Sequence, residues 1–168
     1  MRTVGLLATT LLLFLLPLLP AHAGSQPWQF HALDDQGPGG AARIAMGVSE
    51  DARFFIGVGT EEGSGERFIT FGGRDVAISP THNVVFRIDE GAPFRFAGPM
   101  TDGPAEFTLN EKGNVISLHG GTDKHRKLLK GLRTGSRAIV RFQDASGSKR
   151  SATVPLEGSA EAIGKVLR

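Results

Sequence analysis

Cysteine and tyrosine are both absent from the 168 residues of this chain. Without cysteine there is no disulfide, thiol nucleophile, zinc–thiolate site or lipid-modified cysteine. The GxxxxGK[ST], GxGxxG and HExxH signatures are also missing, which removes the commonest nucleotide-binding and metalloprotease readings. With no tyrosine or cysteine, few groups titrate between the α-amino group and lysine, so a formal charge of only +2 carries the pI to about 9.3. The high pI is therefore no sign of a nucleic-acid partner.

The amino terminus carries the clearest signal. Arg2 precedes an apolar run from Val4 to Leu19, and Ala21-His22-Ala23 has the A-x-A form of a cleavage site. This predicts a signal peptide over residues 1–23, cleaved after Ala23, and an exported domain over 24–168 in the periplasm or secreted. A membrane anchor fits less well, because a span needs about 20 apolar residues and this run is shorter and broken by Pro17 and Pro20. No later segment has the length or apolarity of a transmembrane span. No internal repeat or long linker divides the rest.

Glycine and proline punctuate the mature chain, and the segments between them are short, phenylalanine-rich and often alternating. That pattern predicts strands with frequent turns. Strands are expected at Trp28–Leu33, Ala41–Val48, Phe54–Thr60, Arg67–Phe71, Val84–Ile88, Phe94–Ala97, Glu106–Leu109, Val115–His119, Arg137–Gln143 and Ser151–Leu156. Turns are expected at Asp34–Gly40, Glu61–Gly65, Asp89–Pro93 and Asn110–Asn114. Leu128, Leu129 and Leu132 share one stripe of a helix over Asp123–Arg133, capped by Thr122 or Asp123 and ended by Gly135. A second helix is expected over Ser159–Leu167. The fold class is thus mainly β: a single β-sandwich-like domain of antiparallel strands, with two short helices in its C-terminal third. Eight of the phenylalanines, from Phe54 to Phe107, could line a ligand cavity but at strand spacing read as core. Phe54 and Phe55 are consecutive and point to opposite faces, so one of them is expected to be exposed or at an interface.

The segments Val85–Gly91, Leu128–Gly135, Ile139–Phe142 and Val154–Ala162, in that order, resemble the invasion-associated locus B family of exported bacterial proteins. Trp28 and Ala41-Ala42 sit where that family often carries a tryptophan and a Cys-Ala pair. The resemblance covers about two-thirds of the mature chain and rests mostly on turn glycines and core positions. It implies an exported β-rich envelope protein, linked in some members to host-cell invasion, with no known catalytic residues. This chain departs from the family in lacking its cysteines, and with them any stabilising disulfide.

The candidate chemistry is sparse. His119, Asp123 and His125 form an H-x3-D-x-H cluster whose donors suit a transition metal, although the spacing matches no standard zinc pattern and Asp123 also suits a helix N-terminus. Asp34-Asp35, Asp89-Glu90 and Asp102 lie beside glycine or proline and read as turn-stabilising carboxylates. No serine stands in a G-x-S-x-G elbow. The richest feature is basic. Lys124, Arg126, Lys127, Lys130 and Arg133 lie on the first predicted helix, with Arg137, Arg141 and Lys149 on the hairpin that follows. Together they suggest a positive surface for an anionic partner such as lipopolysaccharide, phospholipid headgroups or an acidic protein, against the plainer reading of a solvated face. Nucleic acid is not expected, because no aromatics for stacking accompany these cations. No cofactor is expected.

The function that follows is a non-enzymatic envelope or secreted binding protein acting through a basic surface. The rival is a small exported hydrolase or metal-dependent enzyme built on His119, Asp123 and His125. The charges are also polarised along the chain. Residues 24–110 carry a net −6, and residues 111–168 carry a net +7 with all the lysines. A fold that separates these halves has a positive end at the first helix, and one that interleaves them cancels charge locally.

Overall fold

The computed structural model describes residues 27–33, 42–61 and 64–168. The expected signal peptide, the Asp34–Gly40 turn and Asp34-Asp35 lie outside the described residues. Two antiparallel sheets face each other, as the alternating pattern requires. The larger is ordered β1 (Gln29–Leu33), β2 (Ala42–Val48), β3 (Phe54–Glu61), β4 (Arg67–Gly73), β8 (Val115–Leu118) and β7 (Phe107–Leu109). The smaller is ordered β10 (Lys149–Pro155), β9 (Arg137–Gln143), β5 (Val84–Ile88) and β6 (Phe94–Phe96). Helices α1 (Asp123–Thr134) and α2 (Ser159–Val166) complete the chain.

Phenylalanine rings join the two sheets. Phe71 of β4 stacks on Phe54 with centroids 5.8 Å apart, and meets Phe142 and Phe86 edge-on at 5.3 and 6.0 Å. Phe86 in turn meets Phe96 at 5.8 Å. Such pairs add about 1 kcal/mol each beyond the burial of their area. Phe54, Phe71, Phe86, Phe96 and Phe107 are core as expected, Phe94 packs against them partly buried, and Phe68 is only half-buried.

Phe54 and Phe55 do point to opposite faces, but both are buried, which corrects the expectation that one is exposed. Gly57 and Gly59 share the Phe55 face, and large side chains cross over them. A Cβ on Gly59 would lie 2.0 Å from the Phe68 ring, and one on Gly57 would lie 3.1 Å from Ile44.

The helices dock through specific contacts. Thr122 caps α1 by accepting a hydrogen bond from the His125 N–H at 3.1 Å, and Leu128, Leu129 and Leu132 are buried as the stripe predicts. Gly131 and Gly135 let the end of α1 lie against Ile88, where a Cβ on Gly135 would come within 2.3 Å of Cγ2. Trp28 ties the start of the described chain to its last strand. Its indole N–H donates to the Pro155 carbonyl at 2.9 Å, and its ring fills the space over Gly47. The β7–β8 hairpin turns at Gly113, whose φ of +69° suits glycine.

Candidate basic face

The outer face of the smaller sheet is assembled by alternation and register. In β9 the buried Ala138, Val140 and Phe142 alternate with Arg137, Ile139, Arg141 and Gln143. In β5 the buried Val84, Phe86 and Ile88 alternate with Val85 and Arg87. Antiparallel pairing then sets Ser151, Arg141, Val85 and Arg95 in one row across the sheet, with Thr153, Ile139 and Arg87 in the next. Arg141 and Arg95 thus flank Val85 from strands two spacings apart, about 9.5 Å at the backbone. Arg87 stands one pleat repeat, roughly 6.7 Å, along β5 from Val85.

Two open grooves run over this face. One, of about 540 Å³, is walled by His82, Asn83, Arg95, Arg141, Lys149 and Arg150. The other, of about 230 Å³, lies between Arg87, Pro93, Arg95, Ile139 and Arg141. Val85, Arg95 and Arg141 belong to both. Among the described residues, Arg87, Arg95, Arg141 and Lys149 have no carboxylate partner. Arg150 is different. Asp144, buried in the 144–148 turn, accepts from Ser146 and from Arg150 at 2.8 Å, and these bonds hold its carboxyl far below the ordinary range.

The cations expected on α1 are more heavily engaged. Lys124 is bound to Glu106, donates to the Arg95 carbonyl at 2.7 Å and stands 5.0 Å from the centre of the Phe96 ring. Burial disfavours the charged form of Glu106, but the hydrogen bonds from Lys124 and the Ala97 N–H outweigh it and lower its pKa. Lys127 and Arg126 both reach Asp123, at 2.7 and 3.5 Å, and the hydrogen bond from Lys127 is the main reason the Asp123 carboxyl titrates low. Arg137 pairs with Glu90 at 2.8 Å. Lys130 and Arg133 are exposed, with no ion pair among the described residues. The acidic and basic halves of the chain therefore interleave, and Lys124–Glu106 and Arg137–Glu90 cancel charge across them.

The H-x3-D-x-H residues do not converge. His119 is exposed at the end of β8, Asp123 faces the cations of its own helix, and His125 is buried beneath α1. No group of three metal-ligating side chains occurs among the described residues. Burial lowers the pKa of His125, and its Nε2 has no hydrogen-bond partner among the described residues. Asp89 acts as a turn residue. It sits at φ +48°, and its carboxylate accepts from the Ser136 and Arg137 N–H groups at 3.1 and 3.0 Å.

Arg87 and Arg95 were missed by sequence reasoning because they lie in the acidic half. The alternations Phe86-Arg87-Ile88 and Phe94-Arg95-Phe96 show that both point outward. What was hidden is that β9, some fifty residues later, pairs with β5 and brings Arg141 beside them. No helix among the described residues is long and apolar enough to cross a membrane. No family model, curated protein or solved structure matches the chain.

Proposed function

We propose that this is a non-enzymatic exported binding protein whose partner is anionic and is engaged by the outer face of the smaller sheet. The observation that carries this reading is the row formed by Arg141, Val85 and Arg95, with Arg87 and Lys149 beside it and no carboxylate paired with them among the described residues. Unpaired guanidinium groups on a rigid sheet keep their donors free for phosphate or carboxylate oxygens. On the basic helix Lys130 and Arg133 are left without an ion pair among the described residues but stand outside this row, while Lys124, Arg126, Lys127 and Arg137 have partners of their own. Export after cleavage at Ala23, and a place in the envelope or outside the cell, follow from the amino-terminal pattern. The resemblance to the invasion-associated locus B family supports the same class of function. The hydrolase or metal-enzyme alternative has less support, because His119, Asp123 and His125 stand apart.

Arginine footprinting tests the site. Phenylglyoxal should modify Arg87, Arg95 and Arg141 in the free protein, and saturating inorganic polyphosphate should slow all three by severalfold. Arg53, just before β3, and Arg67, at the start of β4, are exposed and serve as references. Equal protection of the references would mean that the polyanion coats the molecule without choosing this face.

A further inference from the structure

Resting on the reading of this face as an anion site, the geometry points to an anionic lipid surface as its partner, with Met100 as the side chain that enters the lipid. Met100 is the one large apolar side chain strongly exposed among the described residues, at 69%. A single exposed apolar residue is ordinary on a soluble domain, so its position decides the matter. The Met100 N–H donates to the Pro80 carbonyl at 3.0 Å, and the Thr101 hydroxyl donates back to the Gly98 carbonyl at 2.9 Å. Gly98 lies so close that a Cβ there would stand 2.4 Å from the Pro80 oxygen. The 98–101 turn is thereby fastened to the segment that continues into His82 and Asn83, which wall the larger groove. Met100 is thus fixed at the end of the β5–β6 pair, beside the segment that leads into the larger groove.

The chemistry of the two features is complementary. Arginines with long apolar stems, set around the half-buried Val85 and Ile139, suit the phosphate plane of a bilayer. An unbranched, polarisable methionine suits the irregular apolar region just beneath it. Each signal alone binds weakly, and stable interfacial attachment generally needs two. The larger groove is open to solvent, which matches an extended surface better than an enclosed small molecule. Asp102 is exposed two residues beyond Met100, so only the tip of the turn enters.

The test compares vesicles of phosphatidylglycerol and phosphatidylcholine, vesicles of phosphatidylcholine alone, and soluble polyphosphate. All proteins begin at Gly24, which keeps every described residue and removes the apolar run that would itself bind lipid. Met100→Ser should weaken binding to the anionic vesicles about tenfold and leave polyphosphate binding unchanged. Arg95→Ser/Arg141→Ser should weaken both, by about fivefold per arginine at low salt. A Met100→Trp reporter should shift to the blue with anionic vesicles only, read over the buried Trp28. If Met100→Ser binds anionic vesicles as the wild type does, or Met100→Trp does not shift, the lipid inference falls while the anion site stands. If the arginine variant retains polyphosphate binding, the anion site itself falls.

Discussion

At the residue scale, His125 is the most informative side chain in the core. It is buried, its Nε2 has no hydrogen-bond partner among the described residues, and burial lowers its pKa from 6.5. The unfolded chain therefore takes up this proton more readily than the folded one. The stability associated with neutral His125 is complete above the unfolded pKa of 6.5 and is lost as pH falls from there toward the lowered folded value. Glu106, Asp123, Asp144 and Glu161 also have lowered pKa values, and their contributions are lost only at more acidic pH, below their ordinary values near 4. Urea denaturation should thus show stability falling between pH 7 and 5 in the wild type and nearly level in His125→Leu. A decline of the same size in both proteins would remove His125 as its cause. The metal reading of this histidine arose because spacing alone cannot tell a helix's buried face from its capped end.

At the scale of elements, close approach matters more than propensity. Gly131 of α1 looks like a weakness in sequence, since glycine costs about 1 kcal/mol relative to alanine in a helix. With Gly135, just past the helix end, it instead marks where α1 rests on Ile88. Gly135→Val should destabilise by about 1–3 kcal/mol, because the added atoms meet a packed side chain of β5. Gly164 of α2 has open space around it, and Gly164→Ala should stabilise by up to about 1 kcal/mol. Chemical denaturation of both variants checks the contrast, and a stable Gly135→Val would show that α1 shifts freely on the sheet.

The elements themselves were largely legible. Alternation placed Ala138, Val140 and Phe142 inward, and the leucine stripe with Thr122 defined α1 to within a residue. Local signals sufficed there because each strand or helix buries one face. The burial of Phe55 was not legible, because local alternation does not distinguish a strand buried on one face from one buried on both, as β3 is. The basic face was half legible: Arg137, Arg141 and Lys149 pointed outward as expected. Arg87 and Arg95 joined them through a long-range strand pairing that no local pattern encodes.

For the whole molecule, the question is where the positive charge remains free. The sequence separates a net −6 from a net +7, but the fold threads β5 and β6 of the acidic half against β9 of the basic half. Ion pairs consume part of the helix charge and Arg137, while Arg87, Arg95 and Arg141 on the outer face of the smaller sheet have no carboxylate partner among the described residues. Binding should therefore follow the sheet and not the net charge. The direct measurement is the affinity for inorganic polyphosphate of the wild type, Arg95→Ser/Arg141→Ser and Lys130→Ser/Arg133→Ser. All three proteins are titrated at about 50 mM and about 150 mM salt, because phosphate contacts weaken steeply over that range. The two variants carry the same net charge. The sheet variant should lose about tenfold or more at the lower salt, with a shallower salt dependence, and the helix variant should stay within about twofold of the wild type. Equal losses in the two variants, or a larger loss in the helix variant, would contradict the assignment of the anion site to the outer face of the smaller sheet.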